Sequence, residues 1–72
     1  MAPRDLNIIR EAIKEQMDRI GYAKDSILRY RAKDQSNGRI NDERYVKLMK
    51  ALADKKELKP FGADCWTIDE AF

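Results

Sequence analysis

Ile40-Asn41-Asp42-Glu43-Arg44-Tyr45-Val46-Lys47-Leu48-Met49-Lys50-Ala51-Leu52, followed after Ala53 to Glu57 by Leu58-Lys59-Pro60-Phe61-Gly62-Ala63-Asp64-Cys65-Trp66-Thr67-Ile68, is the stretch that decides the fold. Its first part reads as an amphipathic helix over 41–56. Asn41 is a good N-cap, and Asp42 and Glu43 suit the positive end of a helix. Ile40 before the cap and Tyr45 at the fourth helical position fit a hydrophobic staple. Tyr45, Leu48, Met49 and Leu52 form one apolar stripe, with Val46 and Ala53 at its margin. Glu43, Arg44, Lys47, Lys50 and Asp54 take the opposite arc, which leans basic.

The second part reads as a β-hairpin over 57–68. Pro60 has no N–H for a ladder, so its strand belongs at an edge. Gly62-Ala63-Asp64 makes the turn. Trp66 and Ile68 are two apart, which points them to one face, expected to bury against the helix stripe, with Cys65 and Thr67 on the other. Asp69 is placed to cap a last helical turn through Phe72.

Upstream, Pro3 suits a helix entrance and Asp5 a cap of its first turn. Leu6, Ile9, Ile13, Met17 and Ile20 then fall at helical spacing. Leu6, Ile13, Ile20 and Ile27 also stand seven apart, as along a coiled-coil seam. Residues 5–31 therefore allow two readings. One is a single helix of about 40 Å at 1.5 Å per residue. The other is two helices meeting near Gly21, a residue that can end a helix in the left-handed conformation, with Asp25 capping a second helix over Ser26 to Arg31. The break at Gly21 is the preferred reading. Residues 32–40 read as loop, since Asp34-Gln35-Ser36-Asn37-Gly38 is dense in turn formers.

A chain of 72 residues is expected to fold as one small domain, 1–72, burying roughly 60% of its unfolded surface. Such a core is marginal and gains from a partner, a dimer mate or a nucleic acid. The composition, 43% apolar and 39% charged, excludes a disordered or low-complexity chain. From Met1 onward there is no basic-then-apolar leader and no long apolar run, and the single Cys65 has no internal disulfide partner. A cytoplasmic protein is expected. Net charge is +2, but its distribution is uneven. Basic and acidic groups balance over 1–23, bases exceed acids by five over 24–59, and 60–72 carries acids only. The middle of the chain is where a polyanion is drawn.

Enzymatic chemistry has little to stand on. There is no His, so no Ser-His-Asp or Cys-His arrangement exists within the chain. One Cys without His is not a zinc recipe, and Gly21, Gly38 and Gly62 build no phosphate loop. Neither a cofactor nor a metal is expected. Cys65 reads as a half-buried strand residue, Trp66 as the main core aromatic, and Tyr22 and Tyr30 as helix-packing residues.

A helix running directly into a β-hairpin resembles the end of a winged helix-turn-helix domain, and the resemblance covers roughly residues 6–68. It implies a mainly α fold with a C-terminal β-hairpin, a small winged-helix-like domain. The alternative is an all-α helical hairpin with an irregular tail. In that superfamily the last helix enters the major groove and the hairpin wing touches phosphate. Carried over, Arg44, Lys47 and Lys50 meet double-stranded DNA from the helix, Lys55, Lys56 and Lys59 lie at the wing base, and Arg39 sits at the turn before the helix. Each Lys or Arg on a phosphate releases counterions. The expected function is thus a small DNA-binding regulator of the phage or mobile-element style, with a possible homodimer through its first helix. The other expectation is a non-enzymatic docking module, an adaptor or an inhibitor of a larger host protein. It would work through helix faces or the acidic, aromatic tail 64–72.

Overall fold

The computed structural model describes residues 3–72, so the reading at Met1 lies outside the described residues. Helix α1 spans Pro3–Ile20 and buries Leu6, Ile9, Ala12, Ile13 and Gln16 on one face. Its first described residue is Pro3, whose missing N–H is harmless in a first turn. It stops at Gly21, which takes φ +80° and donates its N–H to the Met17 carbonyl at 3.0 Å. The break expected at glycine is therefore present. The seven-residue seam is not: Ile20 is 46% exposed, because the chain turns at the next residue and the core lies below Leu6 to Gln16.

Strand β1, Ala23–Lys24, was not expected. It is two residues long and pairs antiparallel with a later strand through Ala23↔Trp66 and Lys24↔Cys65. Helix α2 follows at once, Asp25–Gln35, burying Leu28 and Ala32. The position before its first turn is Lys24, and no side chain caps it. The capping role given to Asp25 is corrected here, since its carboxylate is held by residues of two other elements. The helix also continues past Arg31 into the stretch read as loop. It closes with the Gly38 N–H on the Lys33 carbonyl at 2.8 Å and the Asn37 N–H on that of Asp34 at 3.2 Å. Asn37 takes the left-handed region at φ 55°, which makes a Schellman ending. Ser36 Oγ then accepts from the Ile40 N–H at 2.9 Å, and Ile40 turns into the core at 1% exposure.

Helix α3 spans Asp42–Asp54, capped by Asn41, whose side chain accepts from the Arg44 N–H at 2.9 Å. Tyr45, Leu48, Met49 and Leu52 are all buried. The helix ends short of residue 56 in a second Schellman closure. There the Glu57 N–H reaches the Leu52 carbonyl and the Lys56 N–H that of Ala53, both at 3.0 Å, with Lys56 left-handed at φ 63°. Strands β2, Leu58–Pro60, and β3, Cys65–Ile68, form the expected hairpin. The sheet order is β1-β3-β2, all antiparallel, so Pro60 does lie in an edge strand.

The fold is thus mainly helical with a C-terminal hairpin, extended by β1 to three strands. Two details differ from expectation. Ile68 is 39% exposed and Trp66 only partly buried against the core, whereas their cross-strand partners on the same face, Leu58 and Ala23, are buried. After β3 the chain makes a turn instead of a helix. It is tied back by the Asp69 N–H on the Glu57 carbonyl and the Ala71 N–H on that of Lys56, both at 2.9 Å. No helix among the described residues is long and apolar enough to cross a membrane.

Candidate nucleic-acid interface

The wheel of α3 sets the surface. With Tyr45, Leu48, Met49 and Leu52 facing inward, the outward row is Glu43, Val46, Lys47, Lys50 and Asp54, all exposed. The chain then passes Lys55 and Lys56 into β2 with Lys59, again exposed. These positions carry the cations expected to meet DNA, and the structure divides them into three groups.

Arg39 and Arg44 are engaged within the molecule. Arg44 donates from Nε at 2.8 Å and Nη2 at 2.6 Å to Asp5 Oδ2. Arg39 Nη2 stands 2.5 Å from Asp5 Oδ1 in an ionic contact not aligned as a hydrogen bond. Asp5, in the first turn of α1, is 1% exposed and joins α1 to α3 and to the turn before it. Lys47 is lightly engaged, its Nζ 3.6 Å from Glu43 Oε1 one turn away. Both groups are well exposed, and such a pair contributes little. Lys50, Lys55, Lys56 and Lys59 take part in no ion pair among the described residues.

Glu57 lies within this lysine run in sequence, and its charge is countered from elsewhere. Arg10 of α1 grips it in a two-point fork, Nε to Oε1 at 2.7 Å and Nη2 to Oε2 at 2.8 Å. The hydrogen bonds from Arg10 lower the Glu57 pKa against a smaller opposing effect of burial, with weaker attractions from the Arg10 and Lys55 charges. Asp42 at the α3 N-terminus is likewise faced by bases, Arg29 Nη1 at 3.7 Å and Lys33 Nζ at 3.6 Å. The hairpin turn offers no cation; it presents Asp64, exposed, and Phe61, whose ring lies 5.9 Å from that of Tyr22.

A polar hub behind this surface was not read from the sequence. Asp25 Oδ1 accepts from the Tyr45 hydroxyl at 2.7 Å and Trp66 Nε1 at 3.1 Å, and Oδ2 from Arg29 Nη2 at 3.2 Å. Arg29 also stacks over the Tyr45 ring at 5.0 Å. Burial pushes the Asp25 pKa up, but the bonds from Tyr45, Trp66 and Arg29 outweigh it and the net shift is downward. Tyr45 moves up, through burial first and then through its bond to Asp25. The hub fixes α2, α3 and β3 to one another. Only the dense polarity around residue 25 hinted at it, since Tyr45 and Trp66 lie far along the chain.

One groove of about 790 Å³ runs along α1 and α2 past Ile8, Glu11, Glu15 and Arg31, and an ion pair between Arg31 and Glu15 spans it. Among the described residues no cluster of His, Cys, Asp or Glu could hold a metal ion. No protein-family model matches the chain, and no curated protein or solved structure shows significant similarity to it.

Proposed function

We propose that this chain is a small DNA-binding regulatory protein that lays α3 and the first strand of its hairpin against a duplex. One observation carries the reading: Lys50, Lys55, Lys56 and Lys59 follow one another from α3 into β2, exposed and without ion pairs among the described residues, while of the two acids between them, Asp54 and Glu57, Arg10 neutralises Glu57. An edge with four cations and one exposed acid, Asp54, keeps a net positive charge, the electrostatic footprint that a line of phosphates attracts. The run of α3 into the β2–β3 hairpin supports the winged helix-turn-helix resemblance, in which helix and wing share the contact. Arg39 and Arg44 act in this reading as supports of the α3 N-terminus. The setting is the cytoplasm, and no reaction is catalysed.

Titration of a labelled duplex at several salt concentrations tests this. Binding is expected at low salt and weakens as salt rises. Lys47→Glu with Lys50→Glu is expected to reduce affinity; unchanged affinity would show that α3 is not the contact. No binding at low salt ends the reading.

A second reading, a docking adaptor or inhibitor, is favoured by the outward exposure of Val46 at 55%, Phe61 at 52% and Phe72 at 44%. It requires a protein partner that survives nuclease treatment of the lysate and is lost when the exposed Val46, Phe61 and Phe72 are replaced by polar residues.

A further inference from the structure

Resting on the DNA-binding reading, we infer that the contact is made to the phosphodiester backbone and carries no base-sequence preference. Base edges are read most specifically by planar side chains that form two hydrogen bonds at once, Arg on guanine and Asn or Gln on adenine, although Lys also reaches guanine and Asp or Glu cytosine. Helix α3 has one such residue, Arg44, and its Nε and Nη2 are both bound to Asp5. Asn41 at the helix start is the cap, and its Oδ1 is bound to the Arg44 N–H.

The outward row offers Glu43, Val46, Lys47, Lys50 and Asp54 instead. Lysine is a flexible point charge that suits phosphate. The N-terminal residues of a recognition helix are those that meet the bases, and here that end carries Asp42 and Glu43. Asp42 stands 3.7 and 3.6 Å from Arg29 and Lys33 in exposed contacts that offset little of its charge, so this end of α3 repels phosphate. The unpaired lysines lie at the opposite end of α3 and on β2. Exposed Asp64 at the hairpin turn directs the duplex away from the tip and toward the strand bearing Lys59.

Four lysines on phosphates give a slope of about −3.6 in log affinity against log salt, at ~0.9 per contact. The test is selection from a library of random duplexes with the full chain, followed by titration of two unrelated duplexes of equal length. No enriched motif is expected, and the two affinities should agree within about twofold at each salt concentration. Lys55→Glu and Lys59→Glu should each weaken both duplexes equally, by severalfold, with a shallower salt slope. Arg44→Lys should leave any preference unchanged. An enriched motif, or a preference that shifts with Arg44→Lys, overturns the inference while DNA binding itself stands. Failure to bind any duplex at low salt removes the reading beneath it and this inference together.

Discussion

Asp25 shows how much one carboxylate can organise in a domain of this size. It accepts from Tyr45, Trp66 and Arg29, and Tyr45 is 1% exposed, so loss of the carboxylate leaves a buried hydroxyl with only the long 3.4 Å contact to the Asp25 main-chain oxygen. Asp25→Ala is expected to cost about 2–3 kcal/mol, the desolvation cost of the orphaned donors. Urea unfolding followed by the fluorescence of Trp66, the sole tryptophan, measures it. The pH dependence has a definite sign. The folded pKa of Asp25 lies below its ordinary value, near 3.9 when unfolded. Its contribution is therefore complete above about pH 5 and drains as pH falls through the folded value. Asp25→Asn should flatten the stability profile below that point. Gln16 presents the opposite case. It is 7% exposed on the core face of α1, and its Oε1 finds no hydrogen-bond partner among the described residues. Gln16→Met keeps the length and removes the unpaired group, and should raise stability by about 1 kcal/mol in the same titration.

Among the elements, α3 and its hairpin were legible because their signals are local. Asn41 caps, the 45-48-49-52 stripe buries, and Pro60 sits at an edge. The break at Gly21 was legible for the same reason. Strand β1 was not, since two residues have no periodicity and form a strand only because β3 lies beside them. Asp25 was read as a cap because an acid in a first turn usually acts locally. Here a tyrosine and a tryptophan brought in by the fold, with Arg29, hold its carboxylate instead. Of the site, the free lysines were legible as an arc and a run, whereas the withdrawal of Arg39 and Arg44 onto Asp5 required tertiary structure. The Schellman ending of α3 gives an element-scale prediction. Lys56 occupies the left-handed position at φ 63°, where a side chain costs roughly 1 kcal/mol relative to glycine. Lys56→Gly should therefore stabilise the fold by up to about that amount, seen as a higher urea midpoint, and weaken duplex binding through loss of one cation.

At the scale of the whole molecule, charged groups do work that a larger core would do by burial alone. Asp5 ties α1 to α3, Asp25 ties α2 to α3 and β3, and Arg10–Glu57 ties α1 to the entry of β2. A 72-residue chain has little apolar surface to spare, so much of its charge is internal mortar and only the remainder is available to a partner. The Arg10–Glu57 fork belongs to both categories, because it braces β2 and cancels Glu57, one of the two acids inside the lysine run. The two sides of the fork can be separated. Glu57→Gln and Arg10→Met should each lower stability at neutral pH, by about 1–3 kcal/mol for a charge-assisted pair. Glu57→Gln should also remove part of the acid sensitivity. The folded pKa of Glu57 lies below its ordinary value, so the contribution of Glu57 is present above about pH 5 and lost as pH falls through that folded value. Their effects on the proposed duplex contact should diverge. Arg10→Met leaves Glu57 without its main counter-charge within the lysine run and should weaken binding severalfold, although no residue of the contact itself has changed. Glu57→Gln leaves Arg10 free and should hold or strengthen binding. Parallel salt titrations of the two variants, each above its unfolding threshold, read this out. A common loss of affinity in both would mean that the fork matters to binding only through the fold.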